Sequence, residues 1–150
     1  MTNTSVCCTG DAVFGLVPGC LGPTAYAPAS LVVPMPKTLT YEAAATTPTV
    51  YVTVFVAFQQ GANMGPGTRV MIHAGTGGVG LAAIQVARAL GCHVLTSAGS
   101  PTKRCHLRAI GVCTTADTRT VDFVDNLMLA SKACCVDVLL NSLTSPGGKP

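Results

Sequence analysis

Three glycines, Gly75, Gly77 and Gly80, stand in the order G-x-G-x-x-G within RVMIHAGTGGVGLAAIQVARALGCHVLTSAGSPTKRCHL, Arg69 to Leu107. That spacing suits a backbone cradle for a diphosphate. The first glycine allows a tight turn, the second lets the pyrophosphate approach the main chain, and the third lets a helix pack close to the preceding strand. The helix then directs unpaired N–H groups and its positive end at the phosphates. Thr76, Gly78 and Val79 complete the loop. A site for NAD places Asp or Glu about 20 residues further on, at the end of the second strand, to hold the ribose hydroxyls. Here that window reads Leu95, Thr96, Ser97, Ala98 and Gly99, and Ser100, Lys103 and Arg104 follow. An acid would repel a 2′-phosphate; lysine and arginine offer it charge-assisted hydrogen bonds, and serine a neutral one. These residues predict NADPH rather than NADH.

The charge distribution points the same way. The net charge of +3 is too small to argue for nucleic acid. Between Glu42 and Asp117, however, the sequence has no acidic residue, while Arg69, Arg88, Lys103, Arg104 and Arg108 fall in that interval. A region so one-sided should attract an anion. Other nucleotide sites fit less well: no lysine follows a glycine as a P-loop needs, and no tyrosine has a lysine four residues on. None of the eight cysteines forms C-x-x-C, and Cys7-Cys8 and Cys134-Cys135 are adjacent. That geometry is poor for zinc, so no metal is expected, and the cysteines read as small hydrophobes in a reducing, cytoplasmic setting. The longest apolar run, Thr49 to Phe58, is well short of the roughly 20 residues that cross a bilayer, so no membrane span is expected.

The elements that must position the glycine loop follow from pattern. At 49% hydrophobic and 10% charged, the chain suits a parallel sheet buried on both faces. Short apolar runs in the first third, AVFGLV and SLVVP, alternate with proline and glycine as small irregular strands do. LTYEAAATTP reads as a helix capped by Thr40 and ended by Pro48. TVYVTVFVAFQQGA fits strand or buried helix by composition. From Arg69 the rhythm is regular: strand RVMIHA, helix LAAIQVARALG with Gln85 and Arg88 as its polar side, strand CHVLTSA. Next come helix SPTKRCHLRAIG with Ser100 as cap and Pro101 at its first position, strand VCTTA, helix TVDFVDNLMLAS and strand VDVLLNSL. Alternation at this spacing gives consecutive βαβ units, hence an α/β, doubly wound parallel sheet.

Taken together, these residues resemble the enoyl reductase domain of type I polyketide and fatty acid synthases, in the zinc-free, quinone-oxidoreductase-like branch of the medium-chain dehydrogenase/reductase superfamily. The resemblance runs from about Val13 to Leu143 and rests on GLVPGCLGP, LTYEAAATTPTVYVTVFVAF, GTRVMIHAGTGGVGLAAIQVARALGCHV, GSPTKR and VDVLLNSL. It implies a Rossmann-type sheet of about four strands over residues 39–150, preceded by a remnant of a GroES-like β domain over residues 1–38. It favours helix for Thr49 onward. It implies that Gly77, Gly78 and Val79 line the pyrophosphate and that Ser100, Lys103 and Arg104 hold the 2′-phosphate, with help from Arg119. It places Asn141 near the nicotinamide ribose and Thr53 facing the nicotinamide.

The reaction implied is hydride transfer from NADPH to the β-carbon of an α,β-unsaturated acyl thioester on an acyl carrier protein, beside neighbouring synthase domains, with a homodimer left open. The family extends beyond both ends of the sequence, so the chain is read as incomplete, and no residue is assigned as proton donor. His73 and Tyr51 read first as structural. Two alternatives stand beside this reading: a quinone or alkene reductase of the same superfamily, and a non-catalytic nucleotide-binding fragment whose exposed sheet edge would pair or aggregate.

Overall fold

The computed structural model describes residues 7–117 and 136–142. The chain divides into two compact units, Met1–Val52 and Thr53–Pro150. In the first, β1 (Val13–Gly15) pairs antiparallel with β2 (Val32–Pro34), Phe14 opposite Val33. A side chain at Gly15 would collide with the Leu31 carbonyl, which explains the glycine inside a three-residue strand.

Helix α1 (Tyr41–Phe55) starts where the sequence places it: Thr40 Oγ1 accepts the Ala43 N–H at 3.2 Å. It does not end at Pro48. Proline removes the N–H that the Ala44 carbonyl would accept. The Thr47 hydroxyl donates to that carbonyl instead, at 2.9 Å, and the Thr46 hydroxyl donates to Ala43 O at 2.8 Å. With the orphaned acceptor satisfied, the helix runs on to Phe55 and continues in the wider π form from Val56 to Gly61. The segment from Thr49 is therefore helical, with Val54 and Phe58 buried on one side.

The second unit holds the sheet. Strands β3 (Arg69–Ile72), β4 (His93–Ser97), β5 (Thr114–Ala116) and β6 (Val138–Leu140) are all parallel, in the order β5-β4-β3-β6. Helices α2 (Gly78–Ala89) and α3 (Pro101–Ala109) are the crossovers between β3, β4 and β5. The chain runs outward from β3 to β5, and β6 then lies on the other side of β3. Strand order thus reverses at β3, and in such sheets ligands bind beyond the carboxyl ends at that reversal. The helix expected over residues 120–131 lies outside the described residues.

The core is what the pattern requires. Val70, Met71 and Ile72 are shut off from solvent, as a central parallel strand demands. Ala82, Ala83, Ile84, Val86 and Ala87 of α2 are buried, while Gln85 and Arg88 are exposed. Burying a side chain the size of Ile84 contributes about 1.5–3 kcal/mol. The Arg88 guanidinium donates to the Ile110 carbonyl at 2.7 Å, tying α2 to the end of α3. Gly91 and Gly111 follow the two helices with φ of 75° and 87°, the left-handed stop that glycine permits.

At the β6 side, Arg69 holds Asp137 with two side-chain hydrogen bonds, of 3.0 and 2.8 Å, and a third from its backbone N–H at 2.8 Å. These bonds lower the Asp137 pKa from 3.8 to about 2. A depressed carboxylate supplies stability that is complete above its unfolded pKa and fades as pH falls through the folded one. Asp137→Asn is therefore expected to remove the part of the acid destabilisation that falls between about pH 4 and 2. Denaturant midpoints across that window measure it; an acid limb unchanged by the substitution would refute the assignment.

Candidate nucleotide-binding site

The loop between β3 and α2 is built by packing constraints as much as by backbone freedom. The left-handed residue is Ala74, with φ of 50°, and not Gly75. Gly75 is needed for room: a Cβ there would lie 3.0 Å from Thr96 Cβ and 3.3 Å from Leu107 Cδ2. Its N–H donates to the Ser97 carbonyl at 3.0 Å, which holds the turn against the end of β4. Gly80 fulfils the expected close approach of helix to strand, since a Cβ would stand 2.5 Å from Ala74 O and 2.8 Å from Gly75 Cα.

Gly77 caps α2 in an extended conformation, its carbonyl accepting the Leu81 N–H at 2.8 Å. Its own N–H donates to Ala74 O at 2.8 Å. The donors on offer therefore shift one residue along from the expected centre. Gly78, Val79 and Gly80 form the first turn, where N–H groups have no acceptor within the helix. Gly77 and Gly78 are exposed and carry no side chain over those donors. Thr76 is half-buried beside them. The positive end of α2 faces the same opening, so the arrangement can hold a diphosphate through main-chain N–H groups alone.

The end of β4 carries the second group of expected ligands. Ser100 is the N-cap of α3, with Pro101 next, and its hydroxyl accepts the Lys103 N–H at 3.3 Å. Lys103 is exposed. Arg104 is engaged through one nitrogen: its Nη1 donates to the Ala98 carbonyl at 3.0 Å and pairs with Asp117 Oδ2 at 2.7 Å. The interval without acids, read along the sequence, is closed in space by the very residue that bounds it. Asp117 follows β5 directly, and Ala116 stands in register with Ser97, so Asp117 lies at the mouth of β4. Parallel strands with aligned ends were the available signal for this.

His73 follows β3, donates its backbone N–H to Leu140 O at 3.0 Å and places Nδ1 2.9 Å from the Ser97 hydroxyl. Burial lowers its pKa from the ordinary imidazole value, favouring the neutral ring. It supports buried Ser97 between the two strand ends, a partnership invisible at a separation of 24 residues. Thr96, equally buried, has a hydroxyl without a hydrogen-bond partner among the described residues. Thr53 is exposed near the end of α1, and Asn141 is exposed just after β6. Arg119 lies outside the described residues.

A cavity of about 500 Å³ between the π turn and β6 is lined by Ala57, Phe58, Gly61, Ala62 and residues Asp137 to Leu140, and by none of the loop residues. Among the described residues, no three His, Cys, Asp or Glu side chains gather as metal ligands, and no helix is long and apolar enough to cross a membrane.

Residues 78–147 match the family model described as zinc-binding dehydrogenase. A phenolphthiocerol/phthiocerol polyketide synthase of Mycobacterium tuberculosis is 41% identical over 134 residues, 89% of this chain and 6% of that protein. Among solved structures, the CurK enoyl reductase superposes with a TM-score of 0.74 at 38% identity, covering 79% of this chain and 36% of that one. The nucleotide-binding subdomain of the enoylreductase domain of PpsC from M. tuberculosis gives a TM-score of 0.60 at 40% identity, over 65% of this chain and 54% of that one. The chain thus spans a small part of its curated relative and about half or less of each of these two structures.

Proposed function

Because this chain belongs to the enoyl reductase family of the medium-chain dehydrogenase/reductase superfamily, we propose that it is the NADPH-binding part of a polyketide synthase enoyl reductase. The observation that carries this reading is the glycine-rich turn that opens α2 at the reversal of strand order. The cofactor fits the donors present. Gly78 and Val79 hold the diphosphate through their N–H groups, and Gly75, Thr76, Gly77 and Gly80 shape the turn. Lys103 meets the 2′-phosphate beside capping Ser100. Thr53 and Asn141 border the nicotinamide half. When bound, NADPH supplies a hydride, delivered to the β-carbon of an α,β-unsaturated thioester, while the α-carbon takes a proton.

The protein's share of that chemistry is orientation. The turn anchors the diphosphate, α3 anchors the adenosine end, and the cofactor is thereby held across the carboxyl ends of β3 and β4. The family name implies zinc, but the described residues contain no donor set for it, and no step here needs one. The acyl group would arrive on an acyl carrier protein from neighbouring synthase domains.

Titration of the chain with NADPH and NADH, followed by nicotinamide fluorescence, tests the reading. A hydrogen bond to a charged group contributes about 1.5–3 kcal/mol, so NADPH is expected to bind roughly ten- to a hundredfold more tightly. Equal affinity for both, or none for either, would overturn it.

A further inference from the structure

We infer that Arg104 does not grip the 2′-phosphate but neutralises Asp117, so that the Arg104–Asp117 pair is the element that lets this site accept a phosphorylated ribose. The inference rests on the NADPH reading above and assigns Arg104 as a positioning residue. Ala98 and Asp117 are the residues that follow register partners Ser97 and Ala116. Asp117 therefore stands one strand over from the place where an NAD site keeps its ribose-binding acid. Left unpaired, that carboxylate would repel a 2′-phosphate and favour free ribose hydroxyls.

Arg104 reaches Asp117 from the first turn of α3 at 2.7 Å, with side chains only 18% and 29% exposed, so solvent screens the pair weakly. The same Nη1 also donates to Ala98 O, and the Ala98 N–H donates to Ala116 O at 3.1 Å. Both main-chain groups of Ala98 are thus held, one by β5 and one by Arg104. The guanidinium is anchored through Nη1 by partners of the protein's own, while Lys103, one residue earlier, is the exposed cation beside the site. A sequence reading joins Lys103 and Arg104 into one basic pair; the ion pair divides them into a ligand and a counter-charge.

A double-mutant cycle read with NADPH and NADH separates the roles. Arg104→Gln keeps a donor for Ala98 O but uncovers Asp117, and is expected to weaken NADPH by about tenfold or more with NADH changed less than about threefold. Asp117→Asn should bind NADPH no more weakly than wild type. Arg104→Gln/Asp117→Asn, a neutral pair that can still hydrogen-bond, should return NADPH to within about threefold of wild type. A double variant as weak toward NADPH as Arg104→Gln would mean that Arg104 touches the phosphate itself, and a parallel loss of both cofactors would reduce the pair to scaffolding; either result overturns the inference. Should Arg104→Gln lose its native circular dichroism, the double variant, which leaves no charge unpaired, decides the matter alone by the same threefold criterion. Wild-type chain that fails to prefer NADPH would remove the cofactor reading and this inference together, before any substitution is made.

Discussion

Replacing Gly80 with alanine is expected to abolish nucleotide binding and to destabilise the second unit by about 3 kcal/mol, the upper part of the range for overpacking. The added methyl would sit 2.5 Å from Ala74 O and 2.8 Å from Gly75 Cα. Both are backbone atoms, so no side chain can rotate away. Relief requires α2 to move off β3, and that movement displaces Gly78 and Val79, the residues whose N–H groups form the cradle. Gly77→Ala is the control. At Gly77 the φ is −75° and a Cβ would meet Ala74 O at 3.3 Å, a tight contact but not a collision. Its stability cost should stay below about 1 kcal/mol, in line with the modest preference for glycine over alanine at a helix cap. Urea denaturation and NADPH titration of both variants check this. A Gly80→Ala chain that matches wild type in both would show that the close approach of helix and strand is not what builds the site.

The second large effect concerns Lys103. Lys103→Ala is expected to weaken NADPH by roughly ten- to a hundredfold, the loss of one charge-assisted hydrogen bond worth about 1.5–3 kcal/mol. NADH affinity should remain as it was. Lys103 is exposed, so stability should shift by no more than about 0.5 kcal/mol. Rising ionic strength should erode the wild-type preference and leave the variant largely insensitive, because an exposed charge is screened by salt. An equal loss of NADH affinity would show that the side chain acts on something other than the 2′-phosphate.

Much of the architecture was legible before any coordinates. The β-branched strand of Arg69–Ile72, the apolar α2 with Gln85 and Arg88 outward, and the Ser100-Pro101 start of α3 are set by rules that act within a few residues. So is the stop at Gly91. The resemblance of LTYEAAATTPTVYVTVFVAF to a family segment settled a stretch that composition left open as helix. It did not show that Pro48 would lie inside one helix, because the compensation comes from a hydroxyl one residue away, on Thr47, which a proline rule does not consult. The glycine loop was recognised, yet the roles within it were partly exchanged. Ala74 carries the left-handed φ, and Gly75 is a glycine because Thr96 and Leu107 press on it from other elements.

By itself the sequence determined the α/β alternation, the glycine turn at a helix start and a cation after the second strand, because spacing, capping and side-chain bulk act locally. Only the tertiary structure shows that one of those cations is paired with an acid. Parallel register brings Ala116 beside Ser97, and so delivers Asp117 to Arg104 although thirteen positions separate them in the chain. Charge counted along a chain says where carboxylates are missing from the covalent order; strand pairing determines where they are missing in space, and electrostatic energy depends on separation in space and on screening, not on separation along the chain.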